Sequence, residues 1–164
     1  MTTAKQQISN FEKILFGLVK DTVASNRGIK AFGKAAIDII VKRTRRGYGV
    51  RKTASRQYRF AKLSPGYIEK RKRSKLDPTT SPAKSNLTFS GQLLRSLVVS
   101  PGQGGSFTIR PNARGRKGGI TNQELADVLA KRNDRIFLNL SGSELKTITG
   151  LYEVGLAAAI KKQL

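Results

Sequence analysis

Apolar positions recur every three to four residues towards both ends of the chain and alternate with polar ones only briefly in between. Ser9, followed three residues later by Glu12, is a capping box. Ile8, Phe11, Ile14, Leu15, Leu18 and Val19 share one helical face there, so the first predicted element is an amphipathic helix. Ser25-Asn26-Arg27-Gly28 interrupts it, and a second row of Ile29, Phe32, Ala36, Ile39 and Ile40 follows. One bent helix or two separate helices both satisfy this pattern. The row ends in Arg43, Arg45 and Arg46, cations suited to the negative end of a helix dipole, and Gly47 stops it.

Order returns at Leu87. Ser90-Gly91 opens a short helix with Leu93, Leu94 and Leu97 facing inward against the N-terminal helix, Ser90 capping it and Gly91 permitting close approach. Val98-Val99, and Phe107 and Ile109 alternating with Thr108 and Arg110, predict two strands joined by the glycine-rich turn from Pro101 to Gly105. Thr121 with Glu124 is a second capping box, starting a helix that carries Leu125, Val128 and Leu129. The brief apolar segment Arg135-Ile136-Phe137-Leu138-Asn139-Leu140 comes next. A third box, Ser141 with Glu144, opens a closing helix with Leu145, Ile148, Leu151, Tyr152, Leu156, Ala159 and Ile160 on its apolar positions. No internal repeat is visible. The predicted architecture is one α+β domain over residues 1–164: a small antiparallel sheet packed by a long N-terminal helix and a C-terminal helix.

Residues 47–85 break this pattern. They show no sustained period, and Pro65, Pro78 and Pro82, with Thr79, Thr80 and Ser81, argue against one continuous element. Leu63-Ser64-Pro65 can start a short helix carrying Tyr67, Ile68 and Lys70 to Arg73. The expectation is a long basic loop, poorly ordered in the free subunit and ordered on assembly, because it has no apolar core of its own.

Charge sharpens that expectation. The chain of 164 residues has 32 Lys+Arg against 10 Asp+Glu, a formal net charge of +22. From Lys42 to Lys75 fourteen basic residues face Glu69 alone, so this segment holds +13 of it. Such density repels itself unless phosphate, an acidic protein face or solvent screens it. Tyr48, Tyr58, Phe60 and Tyr67 are interleaved with the cations, a mixture that single-stranded nucleic-acid surfaces use. A solvated loop anchored by its rings satisfies the same pattern.

Candidate chemistry is sparse. With no cysteine and no histidine, disulfide frameworks, thiol nucleophiles, imidazole bases and Cys/His zinc sites are excluded. Arg114-Gly115-Arg116-Lys117-Gly118-Gly119 lacks the phosphate-loop spacing and reads as a hairpin tip. Of the ten carboxylates, Glu12, Glu124 and Glu144 sit at helix starts, where capping explains them. Asp21, Asp38, Glu69, Asp77, Asp127, Asp134 and Glu153 show no cluster of the kind a magnesium-dependent nuclease needs. The reading is a protein without catalysis, cofactor or metal. No apolar run approaches the roughly 18 residues of a membrane span, and no secretory signal is present, which predicts a soluble intracellular-type product.

Three stretches, in order, resemble one family: the head–tail joining and tail-completion proteins of tailed double-stranded DNA bacteriophages. The first is Lys42-Arg43-Thr44-Arg45-Arg46-Gly47-Tyr48-Gly49-Val50 with Leu63-Ser64-Pro65-Gly66-Tyr67 and Lys70-Arg71-Lys72. The second is Ser85-Asn86-Leu87-Thr88-Phe89-Ser90-Gly91-Gln92-Leu93-Leu94-Arg95-Ser96-Leu97, similar to the family's leucine, hydroxyl residue, Thr/Ser-Gly-x-Leu-Leu and closing Ser-Leu before a strand. The third runs from Arg132 to Ser141, where Arg-x-Phe-Leu-x-Leu-Ser leads into the last helix. Arg114 to Gly119 and a shortened link before Arg132 depart from the family pattern.

The resemblance implies helices packed on a small antiparallel sheet. It also implies a ring of copies of the chain, hexameric, at the neck of the virion, and assembly in the host cytoplasm. Its partners would be adjoining neck and tail-tube proteins, with transient contact to double-stranded DNA in the channel and no membrane. Leu87, Ser90, Gly91, Leu93, Leu94, Leu97, Phe137 and Leu138 then form the structural motif. Arg43, Arg45, Arg46, Arg51, Lys52, Arg56, Arg59 and Lys62 are the candidate partner-binding residues, directed mainly at acidic faces of neighbouring rings. A channel that lets DNA slide is poorly served by dense arginine, whereas arginine–carboxylate pairs give an interface its register. From a different class, a basic RNA- or DNA-binding module such as a ribosomal or nucleoid protein also fits the composition.

Overall fold

The computed structural model describes residues 26–51, 56–102, 106–112, 119–131 and 135–161. The first capping box with its helical row, Lys52, and residues 114–118 lie outside the described residues. The first described element, α1, spans Asn26–Arg45. It buries Ile29, Ala36 and Ile40 along one side, the i, i+7, i+11 spacing of a single helical face. Gly33 belongs to the same row. A Cβ there would stand 2.4 Å from both methyls of Val99, so the helix lies almost in backbone contact with the strand beneath it. Gly47 ends the helix at φ 91°, its N–H donating to the Thr44 carbonyl at 2.9 Å, the left-handed stop that glycine adopts without penalty.

Residues 47–85 hold far more structure than their irregular pattern predicts. β1 (Tyr48–Val50) and β2 (Gln57–Arg59) pair antiparallel, Tyr48 opposite Arg59 and Val50 opposite Gln57. α2 (Pro65–Lys72) starts from Ser64, whose hydroxyl accepts the Tyr67 N–H at 3.4 Å. Strands of three residues are too short to show a period of two, which is why the sequence reads as loop. What holds them is long-range: Val50 and Phe60 are buried, and the Val50 N–H donates to the Ile136 carbonyl at 3.1 Å. The segment has no core of its own; Val50 and Phe60 anchor it to the core built by the rest of the fold.

The turn α3 (Gln92–Arg95) leads into β3 (Leu97–Pro101), which pairs antiparallel with β4 (Phe107–Pro111) from Leu97 opposite Pro111 to Pro101 opposite Phe107. The fold is α+β, and among the described residues its antiparallel strands form two two-stranded sheets rather than one. α4 (Asn122–Lys131) packs on α3 and β4, and α5 (Gly142–Lys161) packs on α1. Both begin at capping boxes. Glu124 accepts the Thr121 N–H at 2.6 Å while Thr121 Oγ1 accepts the Glu124 N–H at 3.1 Å, and hydrogen bonding of its carboxyl to the Thr121 N–H and hydroxyl holds that carboxyl below its usual value.

One core gathers Ile40 from α1, Phe60, Leu93, Leu94, Leu97, Ala126, Leu129 and Phe137, with Leu87 and Leu138 packed at its edge. The α3 cap differs from expectation. Gly91 holds the N-cap position at φ 68°, and Ser90 contributes only a long 3.4 Å contact from its hydroxyl to the Gln92 N–H. Gly91 is required for a second reason: a Cβ would stand 2.1 Å from Asp77 Oδ2.

Candidate partner-binding site

The basic run sorts into cations that build the fold and cations left on its surface. Arg43 belongs to the first group. It is 4% exposed, pairs with Glu144 Oε2 at 2.6 Å and donates to the Phe137 carbonyl, so it is a core brace and not a partner contact. Burial pushes its guanidinium below the ordinary value, against the pull of Glu144. The same Glu144 accepts the Ser141 N–H at 2.7 Å as the cap of α5, and Gln57 Nε2 at 3.2 Å from β2. One carboxylate therefore joins the end of α1, the first hairpin and the last helix.

Arg71 was not singled out by the sequence and is 2% exposed. Its guanidinium lies 5.9 Å from the Tyr67 ring and 5.8 Å from the Phe89 ring, and donates to Thr80 Oγ1 at 3.1 Å and the Ser81 carbonyl at 3.0 Å. Its position four residues after Tyr67 on a helix is the signal that could have marked it. Asp77 is a further buried charge, paired with Arg95 at 2.6 Å. Hydrogen bonds from the Thr79 hydroxyl and N–H, joined by Arg95, hold its carboxyl down at about 2. Asn86 and Thr88 are fully buried around Leu87, and Asn86 Nδ2 ties this knot to the Arg45 carbonyl at 3.2 Å.

Arg45 is half-buried, whereas Arg46, Arg51, Arg56, Arg59 and Lys62 are exposed. Arg51 lies over the Tyr58 ring at 5.5 Å. Arg46, Arg59 and Lys62 converge, with Lys84, on the rim of a cavity of about 420 Å³ whose wall includes Phe60, Leu63 and Ile68. Lys84 lies beyond the basic run and was missed by sequence reasoning. A neighbouring cavity of about 480 Å³ opens beside Tyr67, Phe89, Leu93, Leu125 and Leu129; of its cations Lys70, Arg71 and Arg135, the last two already donate to groups of the fold. Among the described residues no group of three acidic, histidine or cysteine side chains is placed to hold a metal, and no helix is long and apolar enough to cross a membrane.

Comparison with protein-family models, with curated proteins and with solved structures returns no match. The surface itself must carry the functional reading. On α5, Leu145 is 49% exposed, Leu151 50% and Val154 69%. At about 100° per residue these three spread over roughly half the helix circumference, wider than one neighbouring element covers.

Proposed function

We propose that the chain is a structural protein of the tailed-phage neck, forming a ring of its own copies that joins or completes the tail at the head–tail interface. The observation that carries this reading is the apolar exposure along α5. A helix that is apolar on several sides is ordinarily enclosed by protein, and Leu145, Leu151 and Val154 lack such enclosure in the single chain. Copies packing α5 between them would supply it, and the resemblance of the Leu87 to Leu97 block supports the family.

Electron microscopy and mass measurement of the full chain at moderate salt test the proposal. A discrete closed ring is expected, hexameric by the resemblance, and Leu151→Asp with Val154→Asp should leave folded monomers. A chain that stays monomeric at micromolar concentration rejects the reading. One observation favours the nucleic-acid module instead: Tyr48, 36% exposed, stands opposite Arg59 on the hairpin, a ring beside a cation. For that reading, affinity for single strands should fall with salt at a log–log slope of about −0.7 per phosphate neutralised.

A further inference from the structure

We propose that the cavity rimmed by Arg46, Arg59, Lys62 and Lys84 is a docking site for a partner protein's acidic segment, one that carries an aliphatic or aromatic anchor between carboxylates. The inference rests on the assembly reading only in expecting a partner protein. Charge complementarity defines the occupant. Four cations stand on one rim, no carboxylate lines the cavity, and none of the four pairs with a carboxylate among the described residues.

A second copy of the chain fits poorly as the source of that charge. The sequence has only ten acidic residues, and Glu144, Asp77, Glu69 and Glu124 are already bonded within their own fold. The partner is therefore a different, acidic chain. Between the cations lie the apolar side chains of Phe60, Leu63 and Ile68, Phe60 buried and the other two half-buried. An apolar anchor seated there would displace water while arginines on the rim engage carboxylates in two-pronged pairs, a combination that fixes register as well as charge.

Nucleic acid is the weaker match. Phe60, the one aromatic in this wall, is 4% exposed, so no ring is open for a base to stack on. Phosphates would leave the aliphatic wall uncovered. Arg46 directly follows α1 and Arg59 lies on β2, while Lys62 and Lys84 sit on the connections beside them.

The test is fluorescence anisotropy of the full-length protein with three labelled peptides: a Leu-Phe centre flanked by Asp and Glu, the same centre flanked by Asn and Gln, and the acidic flanks around a Gly-Gly centre. A single-stranded and a duplex oligonucleotide are measured in parallel. The first peptide should bind, and both controls should bind about tenfold more weakly or less. Ile68→Asp, at a half-buried edge position, should abolish peptide binding, whereas Ile68→Leu should preserve it. Joint substitution of Arg59, Lys62 and Lys84 by alanine should weaken it by about tenfold or more, at unchanged helix content. Equal binding of all three peptides, or indifference to Ile68→Asp, would overturn the proposal. Oligonucleotide binding that responds to Ile68→Asp as strongly as the peptide does would overturn it in favour of nucleic acid. Ring formation is scored separately by mass, so a chain that binds peptide as a monomer keeps this site and loses only the ring.

Discussion

Replacing Glu144 by glutamine removes a charge while leaving the reach of the side chain and its capping geometry in place. Arg43 is 4% exposed and its Nε has no partner in the structure, so the Glu144 carboxylate is the charge that balances it. Losing one partner of a buried ion pair costs about 3–5 kcal/mol, and the lower end applies because the glutamine oxygen still accepts a hydrogen bond. Arg43→Met should cost a similar amount, since Glu144 then stays buried with only Ser141 and Gln57 as donors. Against a total stability of about 5–15 kcal/mol either loss is large. The double variant decides the reasoning. With both charges gone the methionine packs as an apolar stem, and the pair of substitutions should cost about 2 kcal/mol rather than the sum. Urea unfolding followed by far-ultraviolet circular dichroism measures all four proteins. A coupling energy below about 0.5 kcal/mol would refute the brace.

Asp77 titrates with a folded value of about 2 against an ordinary 3.8. Its contribution, about 2 kcal/mol, is therefore present above about pH 4 and lost as the pH falls through about 2; Asp77→Asn should flatten the acid limb of the stability curve. Leu94→Asp places an unpaired charge in the core, where Leu94 is 2% exposed, and should lower the melting temperature steeply at a cost of several kcal/mol; an unchanged melt would contradict its placement. Gly33→Ala should cost about 1–3 kcal/mol because its Cβ meets Val99, and Val99→Ala should recover part of that in the same background. In the free subunit the Phe60 N–H, bonded to the Gly47 carbonyl at 2.8 Å, should exchange as slowly as core amides; fast exchange there would restore the view of a loose segment.

What was legible in the sequence was local. The row Ile29, Ala36 and Ile40, the stop at Gly47, the capping boxes at Thr121 and Ser141, and the hairpin after Val98 each announce themselves within a few residues, where helical or alternating spacing repeats often enough to be seen. The first hairpin did not, because β1 and β2 have three residues each and their burial depends on Phe137 and Ile136, far along the chain. Charge density was read correctly as a quantity and not as a disposition. Adjacent residues on a helix point in different directions, so Arg71 sinks between two rings while Lys70 and Lys72 stay in water. The cavity rim was only partly visible for the same reason. Arg46, Arg59 and Lys62 belong to one run, but Lys84 reaches them through a turn that no periodicity encodes.

The brace between Arg43 and Glu144 spans 101 positions, and this has a consequence for how the protein is made. On the ribosome the arginine emerges first and waits. At about 5–20 residues per second its carboxylate follows some 5–20 s later. Until then the end of α1 carries a charge it cannot bury, so the nascent chain keeps that end hydrated and the core open. The arrival of Ser141 and Glu144 starts the last helix and neutralises the first at one stroke. Closure is thus timed to the arrival of residues 141–144, after the basic segment has been free to meet whatever anion lies near the exit tunnel.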